Sequence, residues 1–243
     1  NISVDTENGY FDFNNTGNGK DCIIVGTNSG VNAVDLQKNW SLEIWVKFDS
    51  LSNDQGLFGH GAAGTDNAGL HIYTYNGGNN IKFGMYNNDF DLGDDVSFPT
   101  PLTTGKWYHL VFTYQHSSPY TKQIFVNGTA YSYSTSQKQY ARAPTYLCIG
   151  KPYDPSRTDR RLDGKVAAVR MYTKVLTRNE VIRLYNANTM KMYIDNEAYI
   201  LKKAANKNLK KTIIKLADNY KKNRRSTFYK MLDGVPNFHR KID

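Results

Sequence analysis

The chain has 243 residues, 40% hydrophobic and 13% aromatic, enough for one large β domain plus an extension, and its longest apolar runs are too short for a membrane-spanning helix. Two cysteines, Cys22 and Cys148, exclude a disulfide-stapled miniature fold and allow either one bridge or two reduced thiols, the thiols being preferred. The net charge of +9 is lopsided: residues 1–186 hold 17 basic and 17 acidic side chains, residues 187–243 hold 14 and 5, so the whole excess marks a boundary near residue 186.

Short strand-like runs recur along the first 175 residues with turn residues between them. The first are YFDFN (10–14) and CIIVG (22–26). In WSLEIWVKF (40–48), Trp40, Leu42, Ile44, Val46 and Phe48 alternate with Ser41, Glu43, Trp45 and Lys47, the period of a sheet with one core face. GLFGHG (56–61), GLHIYTY (69–75) and IKFGMYN (81–87) follow, the last two separated by NGGNN (76–80), whose Asn and Gly residues suit positive φ. GKWYHLVFTYQ (105–115) is bulky on both faces, which predicts a central strand with one face in the core and the other on a concave, partly covered surface. QIFVNGTAYSYS (123–134) centres on Asn127-Gly128, a strong short-range hairpin signal. TYLCIG (145–150) and KVAAVRMYT (165–173) bring the count to about ten strands, the pattern of an antiparallel sandwich.

Helical signals begin at VLTRNEVIRLYNAN (175–188). Thr177 with Glu180 has capping-box spacing, and Val181, Leu184 and Tyr185 would form the buried side. A second helix is expected from about residue 195 to 220, where Leu201, Ala205, Leu209, Ile213, Leu216 and Tyr220 form an apolar stripe. Lys202, Lys203, Lys207, Lys210, Lys211 and Lys215 fill its other face, and Arg224 and Arg225 follow. These eight cations are candidate contacts for an anionic partner.

The ordered set YFDF, CIIVG, WSLEIWVKF, GLFGHG, GKWYHLVFTYQ, KQIFVNGTA, LCIGK and LDGKVAAVRMYTKVLTRNEVIRLYN, over about residues 8–186, resembles the laminin-G-like, pentraxin-like group of concanavalin A-like domains. The resemblance implies a jelly-roll sandwich of two antiparallel sheets in residues 1–186, followed by a basic helical extension in 187–243. It also implies a binding module for glycans or proteins, secreted or displayed on a surface, often with calcium at the rim. This chain departs from the family pattern at Ala167-Ala168, where relatives commonly carry an acidic pair; Asp12 and Asp163 remain at family-like positions. Two carboxylates fall short of the six to eight oxygens calcium takes.

The residues themselves offer several further candidates. NNDFDLGDD (87–95) reads as an acidic loop in which Asp89, Asp91, Asp94 and Asp95 would suit calcium, against the simpler reading of a solvated polar loop. Tyr73, Tyr75, Tyr86, Asn87 and Asp89 would form a glycan patch, aromatic faces meeting sugar C–H groups and amide or carboxylate groups taking hydrogen bonds. His60, His71, His109 and His116 lack paired zinc-ligand spacing, and His109 reads as a packed, hydrogen-bonded residue.

Only four glutamates occur, none near another in sequence, and the strands as drawn show no acid-x-acid pair, so glycoside hydrolysis is not expected. Sequons at Asn14, Asn39 and Asn127 support secretion weakly, and no leader pattern is visible. The expectation is therefore a non-enzymatic, extracellular or surface-displayed recognition module for a glycan or protein ligand. The alternative is a structural component of a virion shell or extracellular coat, with the basic extension as tether. Contact with neighbouring subunits through 187–243 ranks ahead of nucleic acid, because a lysine stripe reads phosphates and not bases.

Overall fold

The computed structural model describes residues 2–6, 9–14, 22–27, 36–52, 54–60, 70–85, 88–135, 146–152 and 160–187. The eight cations of the extension, Lys202 to Arg225, lie outside the described residues, as do Tyr86 and Asn87. All of the described residues except 186 and 187 belong to the first of two units, Asn1–Tyr185.

The described residues form thirteen strands: β1 Ile2–Asp5, β2 Tyr10–Phe13, β3 Ile23–Thr27, β4 Trp40–Phe48, β5 Gln55–His60, β6 Leu70–Tyr75, β7 Asn80–Met85, β8 Asn88–Leu92, β9 Trp107–Gln115, β10 Tyr120–Val126, β11 Thr129–Thr135, β12 Tyr146–Ile149 and β13 Gly164–Tyr172. They form a seven-stranded sheet in the order β1-β2-β13-β4-β9-β10-β11 and a six-stranded sheet in the order β3-β12-β5-β6-β7-β8, with every strand pairing antiparallel. This is the two-sheet sandwich expected from the alternating runs.

The period-2 reading of β4 holds along its whole length. Trp40, Leu42, Ile44, Val46 and Phe48 are fully buried in the inter-sheet core. The Phe83 ring of β7 meets Trp40 of β4 edge-on at 5.6 Å and Phe112 of β9 at 5.5 Å, tying the sheets through aromatic contacts. Asn127 (φ 51°) and Gly128 (φ 83°) make the tight β10–β11 turn. Asn127 also accepts from His109 N–H at 2.9 Å through its side chain and donates its own N–H to His109 C=O at 2.8 Å. The turn residue thus pins the hairpin to β9.

β9 is interior to its sheet, as its bulk predicts, with Tyr108, Leu110, Phe112 and Tyr114 in the core. Its second face does not line an open concave surface. A helix at 178–187, α1, covers it: Val111 and Phe125 form a second apolar cluster with Leu176 and Val181, and Leu184 packs against that cluster. Tyr185 stacks on Trp45 at 6.0 Å and on His109 at 5.8 Å. A solvated sheet face needs no apolar residues; β9 has them because an amphipathic helix needs a partner.

The capping box that starts α1 forms as read. Thr177 Oγ1 accepts from Glu180 N–H at 3.3 Å, and Thr177 N–H donates back to Glu180 Oε2 at 2.8 Å. With Lys174 also bonded to it, the Glu180 carboxyl is held down at about 2. Cys22 and Cys148 are thiols and are not joined to each other.

Candidate functional site

The stretch 87–95 is not a loop throughout. Residues 88–92 are β8, paired residue for residue with β7 from Met85↔Asn88 to Ile81↔Leu92. Phe90 and Leu92 are fully buried on the core side, which fixes Asp89 and Asp91 on the outer face. Four carboxylates in nine residues hide a strand whose outward positions, Asp89 and Asp91, are both acidic. The correction creates an acid-x-acid pair, Asp89 and Asp91, that the sequence reading lacked.

Two more strands, β6 and β7, deliver the remaining side chains to the same outer face. Register places Tyr73 opposite Lys82 and Tyr75 opposite Asn80, with Lys82 opposite Asp91 in turn. His71, Tyr73 and Tyr75 share that face because Leu70 and Ile72 occupy the core. Of the five residues assigned to a glycan patch, the fold therefore brings Tyr73, Tyr75 and Asp89 together. Asp91 and Asp94, assigned to a metal, join them.

The geometry is a wired polar strip. Lys82 Nζ lies 3.0 Å from Asp91 Oδ2 and 3.8 Å from Asp89 Oδ2. The Tyr75 hydroxyl is 2.8 Å from Asp91 Oδ1 and 2.8 Å from Asp94 Oδ2, so one proton is held between two carboxylates. Asn80 Nδ2 donates to Asp94 Oδ1 at 2.8 Å. Asp95 Oδ2 accepts Asp91 N–H at 2.8 Å, and His71 Nε2 sits 2.7 Å from Asp89 Oδ1.

These contacts set the titration of the strip. Burial pushes the Asp91 carboxyl up despite the bonds from Tyr75 and Lys82. The bonds from Tyr75 and Asn80 hold Asp94 down. Burial and the flanking carboxylates of Asp94 and Asp91 drive the Tyr75 hydroxyl far above its ordinary value, so it stays a donor. Lys82 is lowered by burial, but the bond and charge of Asp91 outweigh this and keep it an ammonium.

Two of the sequence assignments change character in this network. Tyr73 is only 5% exposed: the Arg160 guanidinium lies over its ring at 4.4 Å and Lys82 Nζ sits at 5.9 Å. It is a packed platform for cations and not a stacking face for sugar. The carboxylates assigned to calcium are engaged within the protein. Between Asp89 and Asp91 the Lys82 ammonium already supplies the cation, and among the described residues no three ligating side chains converge. The same substitution occurs at Asp12, whose carboxylate lies 3.5 Å from Lys165 Nζ, itself bonded to Asp49.

Part of the outer face is closed by the chain itself. Residues 150–152 and 160–162 cross β5: Gly56 N–H donates to Arg160 C=O at 3.1 Å, and Gly150 N–H to Leu57 C=O at 3.0 Å. A side chain at Gly59 would run into the Pro152 backbone. Arg160 reaches back to Asp54, Nε to Oδ2 at 3.1 Å. The strip over β6–β8 is what remains open, with Lys82, Asp89 and Asp91 each about one-fifth exposed and Asp94 and Asp95 more exposed still.

Sequence reasoning missed Asn80, Lys82, Arg160 and Lys122. Lys82 is legible as an outward position in IKFGM; its pairing is not, because its partners Asp89 and Asp91 stand in a stretch with the composition of a loop. Lys122 sits on the core side of β10 with no solvent exposure, and burial depresses its ammonium to about 8 against the pull of Asp89 and Asp95. The histidines lie apart: His60 faces the core, His71 the strip, His109 the helix and His116 the ring of Tyr120.

A family model described as the concanavalin A-like lectin/glucanases superfamily, of laminin G type, matches residues 10–182. The chain belongs to that family. Solved structures share the fold at low identity. One is the carbohydrate-binding module of a Ruminococcus gnavus sialidase bound to α2,3-sialyllactose (14% identity, TM-score 0.51, covering 68% of this chain and 96% of that one). A second is the fourth domain of an extracellular arabinanase from Geobacillus stearothermophilus in complex with arabinotriose (18%, 0.54, 76% and 80%). A third is a sialidase from Streptococcus pneumoniae, of which the match covers 27% against 72% of this chain (17%, 0.56). No curated protein matches the sequence. Among the described residues no helix is long and apolar enough to cross a membrane.

Proposed function

We propose that this chain is a non-catalytic glycan-binding module, acting outside the cell or at its surface, whose ligand rests on the β6–β8 strip. The observation that carries the reading is the polar edge formed by Tyr75, Asn80, Lys82, Asp89 and Asp91. Donors and acceptors alternate there within hydrogen-bond reach of one another on a rigid sheet. Sugar hydroxyls are both donors and acceptors, and a preorganised row of both kinds suits them at little ordering cost. Family membership supports the reading, as do two neighbours of the same fold that were solved with oligosaccharides.

The test is a glycan array on the full chain, followed by titration calorimetry on any hit with wild type and Asp91→Asn. The reading expects binding that survives chelator, because Lys82 and not calcium bridges the carboxylates, and that weakens roughly tenfold in the variant, one lost charge-assisted bond. A folded protein that binds no glycan, or whose binding ignores Asp91, would refute it.

A further inference from the structure

We infer that the ligand is an uncharged glycan, and that the β6–β8 strip rejects acidic sugars; this rests on the glycan-binding reading above. The charges on and around the strip are unbalanced. Asp54, Asp89, Asp91, Asp94 and Asp95 supply five carboxylates, against which the solvent-facing cations described there are Lys82 and Arg160. The ammonium of Lys122 lies behind them and is shut off from solvent.

Both outward cations are already engaged by carboxylates of the protein itself. Recognition of a carboxylate draws on a guanidinium fork or an ammonium whose hydrogen bonds are open. Arg160 gives Nε to Asp54, and its guanidinium carbon lies 4.4 Å from the centre of the Tyr73 ring. Lys82 gives its ammonium to Asp91 and Asp89. A sialylated, uronic or sulfated glycan would have to displace one of these internal carboxylates while approaching the four others, all of its own sign. Like charges set side by side at an interface are a rejection device. A neutral sugar meets no such barrier, since carboxylate oxygens and the Asn80 amide are good partners for hydroxyls. The fold's neighbours include both kinds of complex, one with sialyllactose and one with arabinotriose, so the fold itself does not decide.

The experiment prints each neutral glycan beside its sialylated or uronic counterpart and probes the array with the full chain and with Asp54→Asn. Wild type should bind neutral glycans and lose roughly tenfold or more on the acidic counterpart of any hit. Asp54→Asn, which releases Arg160 from its carboxylate, should narrow that gap several-fold, an effect mere destabilisation would not produce because it would weaken both members of a pair alike. Hits confined to acidic glycans, or an unchanged gap in Asp54→Asn, overturn the inference and leave glycan binding standing. An array with no hits on folded protein overturns the glycan-binding reading, and this inference with it.

Discussion

His109 Nε2 lies 3.2 Å from Glu43 Oε1, and neither side chain is reached by solvent. Glu43 also accepts from Arg170 Nη1 at 2.9 Å and from the Tyr172 hydroxyl at 2.7 Å. A carboxylate only accepts, so the hydrogen of His109 is on Nε2. The group joins β4, β9 and β13 across the outer face beside α1, where Trp45, His109 and Tyr185 stack. Burying one charge is costly unless its partners surround it, and here three do.

Glu43→Gln keeps the shape and removes the charge. It should lower stability by about 2 kcal/mol at pH 7, the scale of hydrogen bonds to an ionised group. Burial raises the Glu43 carboxyl, but the bonds from His109 and Tyr172 and the charge of Arg170 outweigh it, so the folded value lies below the ordinary 4.5. Stability from such a group is complete above 4.5 and disappears as pH falls through the lowered folded value. Thermal melts should therefore show a constant gap between wild type and variant from pH 7 to 5 that closes in more acidic solution. A gap unchanged at pH 3 would mean that the charge is not what the variant removes.

His60 gives a second acid sensitivity of the same sign, at higher pH and through a different cause. Its ring is 1% exposed among core residues of β5, β6 and β12, and burial depresses its pKa from 6.5 to about 4. Above pH 6.5 the folded and unfolded states both hold it neutral; as pH falls toward 4 only the unfolded chain takes up the proton. Stability should drop across that window by up to about 3 kcal/mol, the linkage value for a shift of this size. Urea melts of His60→Phe should be flatter between pH 6.5 and 4 than those of wild type. Parallel curves would show that the histidine is not the titrating group.

The long strands were legible because every second position agrees. In β4 five core residues alternate with four others, and β9 declares itself interior by its bulk. Asn127-Gly128 and Thr177 with Glu180 were readable because their chemistry is local. β8 was not, since its outward residues are aspartates, and an aspartate in a strand becomes intelligible only beside Lys82 and Tyr75 on the next two strands. The packing of Arg160 on Tyr73, 87 residues away in the chain, has no sequence signature at all. Tyr75, Asp89 and Asp91 could thus be named singly, while Asn80, Lys82 and every pairing required the fold.

Gly59→Ala tests the overlying segment. The added methyl would strike the backbone of Lys151 and Pro152, which cannot move without losing the bond from Gly150 N–H to Leu57 C=O. A cost of about 1–3 kcal/mol is expected, typical of an overpacked site. Because Arg160 leaves the same segment to cover Tyr73, glycan affinity should fall as well. Denaturant melts and titration on the same sample check both; unchanged stability would show that the segment does not rest on β5 as described.

Lys122→Met should stabilise the protein. Lys122 stands on the core side of β10, opposite Tyr114 of β9 and Tyr133 of β11, with none of its surface exposed. Burial depresses its pKa from 10.5 to about 8, only partly offset by Asp89 and Asp95. Below pH 8 the fold carries the whole cost of holding an ammonium there; between 8 and 10.5 the folded state sheds the proton first and the cost fades. Methionine has similar length and no charge to desolvate. The gain at pH 7 should reach at most about 3 kcal/mol and shrink toward zero by pH 10.5. Guanidinium melts of both proteins at pH 7 and pH 10 measure it directly. A variant that is less stable at pH 7 would mean that the attraction of Asp89 and Asp95 outweighs desolvation, making Lys122 a structural anchor for β8 and not a tolerated burden.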